Sequence, residues 1–157
     1  MLPSDDKPFV AIAWRSVAFN ALTVQELYEV LQLRMEVFVV EQACVFQDMD
    51  GVDPQAVHVL GTLVNQLVAY ARCFPAGAKF AEASIGRVVT RASLRGTGAG
   101  AELMHTAIAC VHRQWGVQPI RIGAQAHLEK FYGKLGFIAA SAPYMEDGIP
   151  HIEMLRP

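Results

Sequence analysis

The stretch that most constrains the fold of this chain is Arg95–Gly100, which reads RGTGAG. It follows the strand-like IGRVVT and precedes the helix-like AELMHTAIACVHRQWG. Glycines between a strand and a helix let the backbone adopt positive φ and approach a ligand without Cβ clashes. The free N–H groups in the first turn of such a helix lie at the positive end of its dipole and usually bind phosphate. This glycine turn therefore predicts an anion site, to which Arg95 adds a positive charge.

Two common phosphate motifs do not fit the turn. Gly96-x-Gly98-x-x-Ala101 nominally matches the dinucleotide fingerprint, but that fingerprint opens an early βαβ unit and has an acidic residue about 20 positions further on. Here Arg121 stands near that position, and only residues 101–157 follow the turn. The other motif, the nucleotide triphosphate loop, requires Gly-Lys-Ser/Thr, which the turn lacks.

The rest of the chain predicts strands and helices in the order β-α-β-β-β-α-β-α-β-β, a mixed sheet with helices packed on it. Thr23 and Glu26 form a capping box before the first helix. Asn65-Gln66 is a short turn between two strands, and FIAASA and IPHIEML form a final strand pair. A chain of this length folds without disulfides or metal, so we predict one domain over residues 1–157.

Charge and cysteine usage exclude several classes of function. The net charge is −2, which gives no attraction to nucleic acid or to an anionic membrane. No apolar run approaches the roughly 20 residues of a membrane-spanning helix, and the first residues do not resemble a signal peptide. The cysteines are odd in number and widely spaced, which is typical of reduced thiols in the cytoplasm: Cys44, Cys73 and Cys110.

No metal site is predicted. Asp48-x-Asp50-Gly51-x-Asp53 hints at a calcium loop, but an EF-hand has its glycine at position six and a glutamate at position twelve. Here the glycine is fourth and Val59 is twelfth. The histidines and cysteines are scattered without zinc-ligand spacing.

Written as Arg95-x-x-Gly98-x-Gly100, the turn resembles the pyrophosphate loop of the GNAT N-acetyltransferase superfamily, which binds acetyl-CoA. Downstream, a helix bearing a tyrosine and followed by Gly-Phe is similar to that family's second signature. The chain after residue 20 resembles the ElaA-type branch in the segments LQLRMEVFVVEQACVFQDMDG, LVAYAR, GAQAHLEKFYGKLGF and EDGIPHIEM. The resemblance implies an α/β fold with a mixed, mostly antiparallel central sheet and helices on both faces.

By this resemblance, the strand before the turn is splayed from its neighbour, so that its backbone binds the pantetheine arm. An N–H near Val89 would face the thioester oxygen, where negative charge develops. Gln125 stands where the family often has an asparagine, and it can hydrogen-bond a pantetheine amide. The implied acetyl-CoA residues are Val88, Val89, Thr90, Arg95, Gly96, Thr97, Gly98, Ala99, Gly100, Gln125 and Tyr132.

Acetyl transfer to an amine needs a proton for the departing thiolate and a base for the ammonium. Tyr132 matches the family's tyrosine near the leaving sulfur, and a phenol (pKa about 10) is close enough to a thiol (about 8.5) for proton transfer. Glu41 follows the first helix, where the family's acceptor cleft opens, and His151 lies on the last strand facing that cleft. Both are candidates for the base, because either a carboxylate or an imidazole would serve.

The implied function is acetyl-CoA-dependent N-acetyltransfer, made directly to a primary amine of a small molecule or peptide. An alternative from another class is a non-catalytic acyl-CoA-binding sensor or assembly module on the same fold. The tyrosine expected at the sulfur favours the enzyme, because a binder has no need of it. The chain could also pair as a homodimer.

Overall fold

The computed structural model describes residues 11–157, so the first ten residues of the predicted domain lie outside the described part. The strands and helices follow the predicted order with one additional strand near the end. They are β1 (Ala13–Ala18), α1 (Val24–Arg34), β2 (Val57–Leu63), β3 (Gln66–Phe74), β4 (Ala83–Thr90), α2 (Ala99–Trp115), β5 (Ile120–Gln125), α3 (Glu129–Gly133), β6 (Ile138–Ala139), β7 (Tyr144–Glu146) and β8 (Ile149–Arg156).

The eight strands within residues 11–157 join one sheet in the order β1-β2-β3-β4-β5-β8-β6, with β7 also paired to β8. Every pair is antiparallel except β4 with β5, which run parallel. The α2 helix makes the long crossover that a parallel pair requires. The predicted mixed, mostly antiparallel sheet is therefore confirmed.

Helices cover both faces of the sheet, as predicted. Side chains alternate along β3, so Ala69 and Ala71 belong to the core under α2, whereas Tyr70 belongs to the core under α1. The α2 helix contributes Leu103, Met104, Ala107, Cys110 and Val111 to its core, and all are buried. Val30 and Leu33 supply the apolar side of α1.

Two turns differ from the prediction. The β2–β3 turn centres on Val64 and Asn65, both with positive φ (48° and 60°), and not on Asn65-Gln66. This is a two-residue type I′ turn, which is favoured because its twist matches that of the two strands. The residues on either side of it, Leu63 and Gln66, therefore form the first pair of the ladder. The predicted final strand pair is a set of three, since Asp147-Gly148 forms a second such turn between β7 and β8.

The predicted capping box at the start of α1 is confirmed. Thr23 Oγ1 accepts from the Glu26 N–H, and Glu26 Oε1 accepts from the Thr23 N–H, both at 3.0 Å. At its other end α1 continues into a wider π-helical turn over Met35–Glu41. There the Gln42 N–H donates to Val37 O at 3.1 Å, five residues back. Such turns place one extra residue in the coil and often lie at functional sites.

Candidate functional site

The central feature of the site is a groove between β4 and β5. These strands pair only at Ala83 with Ile120 and at Ser84 with Arg121. Beyond Ser84, β4 remains paired to β3 as far as Thr90 but has no ladder partner on its β5 side. Backbone N–H and C=O groups on that edge are therefore free to bind a ligand. The predicted cofactor residues Val88, Val89 and Thr90 all belong to this unpaired stretch of β4.

A bulge formed by Arg87 and Val88 interrupts β4. The β3–β4 register shifts between Tyr70 and Arg72, and Arg87 adopts a positive φ of 49°. A bulge adds one unpaired residue to a strand and re-aims the residues that follow, and bulges are common beside active sites.

The glycine turn leads from β4 into α2. Gly98 is the residue before the helix and has φ of +88°, and Gly96 has φ of +79°. A Cβ at either position would meet no atom within 4 Å, so backbone conformation, and not crowding, selects glycine. Gly98 offers no side chain to cap the helix, so the first N–H groups of α2 can bind an anion.

Arg95 of the glycine turn is held by Glu41. Arg95 Nη1 and Nη2 donate to the two Glu41 carboxylate oxygens at 2.8 Å and 2.5 Å. Glu41 ends the π-helical turn, which together with Arg91–Ser93 lines a cavity of about 450 Å³. The hydrogen bond from Arg95 lowers the pKa of Glu41. A carboxylate that already accepts two charged hydrogen bonds is a weak proton acceptor, which favours an electrostatic role over that of a base.

Tyr132 lies on α3, buried to 6% exposure between two aromatic rings. Phe131 and Phe137 pack edge-on against it, with centroids 5.0 Å and 5.9 Å away. Burial raises the pKa of Tyr132 to about 12. The phenol therefore keeps its proton at neutral pH, but the raised pKa widens its gap to the pKa of a thiol and makes proton transfer to the sulfur less favourable than the ordinary value implies.

Gln125 and His151 are directly opposed on β5 and β8, which places their side chains on one face of the sheet. Gln125 Nε2 donates to Gln42 Oε1 at 3.1 Å, linking β5 to the end of the π-helical turn. His151 Nδ1 lies 2.7 Å from the carbonyl oxygen of Ile149. A carbonyl only accepts, so Nδ1 carries the proton and the Nε2 of neutral His151 keeps its lone pair.

Two groups surround the free nitrogen of His151. Glu146 Oε2 lies 3.4 Å from Nε2, and the Tyr144 ring stacks on the imidazole at 5.9 Å. The structure thus places His151 with Gln125, Glu146 and Tyr144, and places the other base candidate, Glu41, with Arg95. Sequence reasoning missed Glu146, although it directly precedes the Asp-Gly hairpin signal.

Sequence reasoning also missed a mostly buried ion network formed by Arg34, Arg72, Arg87, Asp48, Asp50 and Asp53. Asp53 Oδ1 accepts from Nη1 of Arg34 and of Arg72, both at 2.8 Å. Asp48 bridges Arg34 and Arg87, at 2.8 Å and 2.9 Å. The aspartates of the rejected calcium loop therefore bind guanidinium groups, and the network fastens that loop to α1, β3 and β4.

Two further properties of the described residues bear on function. Among residues 11–157, no three His, Cys, Asp or Glu side chains come together in a way that could hold a metal ion. None of the helices in that range has the length and apolar character needed to cross a membrane.

Comparison with known proteins agrees with this geometry. Residues 22–156 match the family model described as Acetyltransferase (GNAT) domain. The chain is 44% identical to protein ElaA of Escherichia coli (strain K12) over 147 residues, which are 92% of this chain and 96% of that protein.

Two crystal structures share the fold closely. The structure of Escherichia coli ElaA superposes with a TM-score of 0.87 and 42% identity, covering 93% of this chain and 99% of that one. An acyl-CoA N-acyltransferase from Pseudomonas aeruginosa gives a TM-score of 0.89 and 42% identity, covering 94% and 100%. The family resemblance is thereby confirmed, and the chain belongs to the GNAT acetyltransferase family as a homologue of ElaA.

Proposed function

We propose that this protein is an N-acetyltransferase that moves an acetyl group from acetyl-CoA directly to a primary amine of a small molecule or peptide. The observation that carries the proposal is the groove beside β4, which ends at the glycine turn and the first turn of α2. It sets a free strand edge in line with an anion site, the arrangement that a linear ligand with a pyrophosphate needs. Acetyl-CoA supplies an acyl group on a thiol, which is a good leaving group.

Binding is assigned to backbone groups and one charged side chain. The N–H groups of the glycine turn and of the start of α2 face the pyrophosphate, and Arg95 adds its charge once it leaves Glu41. The edge of Val88, Val89 and Thr90 binds the pantetheine arm, and a preorganised N–H near Val89 stabilises charge on the thioester oxygen. Gln125, at the end of β5, hydrogen-bonds a pantetheine amide from the other side of the groove.

Proton transfer is assigned to two side chains. We assign His151 as the base, because its Nε2 lone pair is free in the neutral imidazole and Glu146 at 3.4 Å would stabilise the imidazolium that forms. Tyr132 donates its proton to the departing thiolate. Glu41 is the poorer base candidate, since Arg95 already occupies both of its oxygens.

We also propose that the protein works in the cytoplasm. All three cysteines, Cys44, Cys73 and Cys110, are unpaired thiols. Free buried thiols are usual in a reducing compartment.

Acetyl-CoA binding and CoA release test the function together. Acetyl-CoA should raise the melting temperature of the protein by mass action. Gly98→Asp should abolish that rise, because it introduces a carboxylate at the pyrophosphate site and a side chain at φ of +88°. Gly77→Asp is the matched control: Gly77 also has positive φ (87°), in the β3–β4 connection, and carries no proposed binding role.

An enzyme should release free CoA thiol when a panel of primary amines is added, which a thiol reagent detects. Binding without release across the panel would favour the sensor or assembly module. An equal rise in melting temperature in wild type and Gly98→Asp would show that acetyl-CoA does not bind at the glycine turn.

A further inference from the structure

Arg87 adopts a backbone conformation that is unfavourable for any residue with a Cβ. Its φ of 49° lies in the left-handed region, which glycine adopts without steric strain. A glycine stands next to it at position 86, yet Gly86 is not the residue with positive φ. Strain of this kind persists only where the surroundings enforce it, often at functional sites. The side chain of Arg87 must therefore contribute something that glycine would not.

The guanidinium of Arg87 is fixed to the ion network. Nε donates to Asp48 Oδ1 at 2.9 Å, and Nη2 donates to the Asp48 carbonyl oxygen at 3.0 Å. Asp48 is held from its other side by Arg34 of α1, whose side chain is fully buried and donates to it at 2.8 Å. A continuous chain of charged hydrogen bonds thus runs from α1 through Asp48 to the bulge in β4.

The bulge decides how the end of β4 is oriented. Before it, Ala83 and Ile85 contribute to the core under α2. An unbroken strand would place residue 89 on that same face, since side chains alternate with a period of two. Instead Val88 packs on the α2 core and Val89 lies in the α1 core. The N–H groups alternate between the two strand edges with the same period, so the bulge also exchanges which of them face the groove.

We propose that Arg87 is a positioning residue for acyl transfer: anchored by Asp48, it fixes the β4 bulge and so sets which N–H groups of residues 88–90 face the groove and the thioester. This inference rests on the proposed function, which gives those N–H groups their task. The ion network has a consequence beyond stability, because it sets the register of the strand edge that binds the substrate.

Arg87→Gly tests the proposal, since glycine accepts φ of 49° and lacks the anchoring guanidinium. We expect kcat to fall between about 10- and 100-fold, the loss typical of a misplaced reacting group. The Kd for desulfo-CoA should change less than about threefold, because the pyrophosphate site is untouched. Arg87→Lys keeps one charged donor and should recover part of kcat. Asn65→Gly is the control, since Asn65 has a similar φ of 60° in the β2–β3 turn.

Hydrogen–deuterium exchange gives a second readout that needs no turnover. In Arg87→Gly the peptide 85–91 should exchange faster by about tenfold or more, while peptides from α2 keep the wild-type rate. A variant with a lower melting temperature but wild-type kcat would make Arg87 merely structural and overturn the proposal. Wild-type exchange in 85–91 would overturn it too. Lack of CoA release by wild type would instead count against the proposed function, and the exchange result would still decide whether Arg87 fixes the bulge.

Discussion

Replacing Glu41 by Gln should make the protein bind acetyl-CoA more tightly. Glu41 accepts two hydrogen bonds from the guanidinium of Arg95, at 2.8 Å and 2.5 Å. The same guanidinium is assigned to the pyrophosphate, so binding must break or weaken the pair. Glutamine keeps the size of the side chain but removes the charge that competes with the ligand.

The magnitude follows from the exposure of the two partners. The side chains of Arg95 and Glu41 are 46% and 38% exposed, so solvent screens their attraction. Exposed ion pairs are worth about 0.2–1 kcal/mol. If binding breaks the pair, the Kd should fall by about 1.4- to 5-fold in Glu41→Gln. The difference in Kd between wild type and Glu41→Gln should shrink at high salt, because salt screens both the Arg95–Glu41 pair and the attraction of Arg95 for the pyrophosphate.

Isothermal titration calorimetry with acetyl-CoA measures this effect, and Glu36→Gln is the matched control. Glu36 lies in the same π-helical turn and pairs with Arg91 at 2.7 Å, not with Arg95. Its replacement should leave the Kd unchanged. Because the hydrogen bond from Arg95 lowers the pKa of Glu41, the carboxylate is ionised at both pH 6 and pH 8, and the effect on the Kd should be equal at the two.

Two results would refute this reasoning. An unchanged or higher Kd in Glu41→Gln would show that Glu41 does not compete with the ligand for Arg95. A large loss of kcat at constant Kd would instead identify Glu41 as the base and remove His151 from that role.

Three further predictions concern the acid and the core. Tyr132→Phe should lower kcat by about 10²–10⁴-fold with an unchanged Kd for acetyl-CoA, and undiminished steady-state turnover would exclude this phenol as the acid. Burial lowers the pKa of His58, so below about pH 6.5 the unfolded state binds more protons than the folded state. Urea unfolding should therefore show stability falling from pH 7 to pH 5, by at most about 1.4 kcal/mol per pH unit, and a His58→Gln variant with an equally steep fall would contradict this origin. Asp53→Asn should lower the free energy of unfolding by about 3–5 kcal/mol, because it leaves Arg34 and Arg72 without a shared carboxylate. A loss below about 1 kcal/mol would show that solvent reaches these groups.

The order of strands and helices could be predicted because local signals carry it. The capping box of Thr23 and Glu26 marks the start of α1, and Gly116, with φ of +89°, ends α2. The strand β7 escaped prediction because its three residues are all exposed and carry no apolar alternation. The turn Asp147-Gly148 is the signal that would have found it.

The glycine turn could be found in the sequence because its residues are contiguous and because anion binding by backbone N–H groups requires only glycines before a helix. The pairing of Glu41 with Arg95 could not, since 54 residues separate them. It also depends on the π-helical turn, whose extra residue rotates the following side chains by about 100°. The spacing of apolar residues in the sequence does not predict that rotation. Arg34 likewise stands among apolar residues of a helical stripe, and only the folded chain brings aspartates to it.

The two-pair contact between β4 and β5 also bears on how the chain reaches its native state. Strands β2, β3 and β4 pair in turn across short connections, whereas β1 pairs with β2 across residues 19–56, which include α1. Strand β5 also returns over a long connection, residues 91–119, but its two residue pairs with β4 offset little of the loop-closure entropy, whereas β1 and β2 share six pairs.

The apolar core beneath α2 provides the stabilising contacts between β4 and β5 that the short ladder does not. It includes Ala71 of β3 and Ile122 of β5 in one cluster, so it continues across the division in the ladder. Docking of α2 onto both halves therefore supplies the contacts between them that the β4–β5 ladder lacks. A sheet whose halves are joined through a shared core can leave the backbone at its middle free for a ligand.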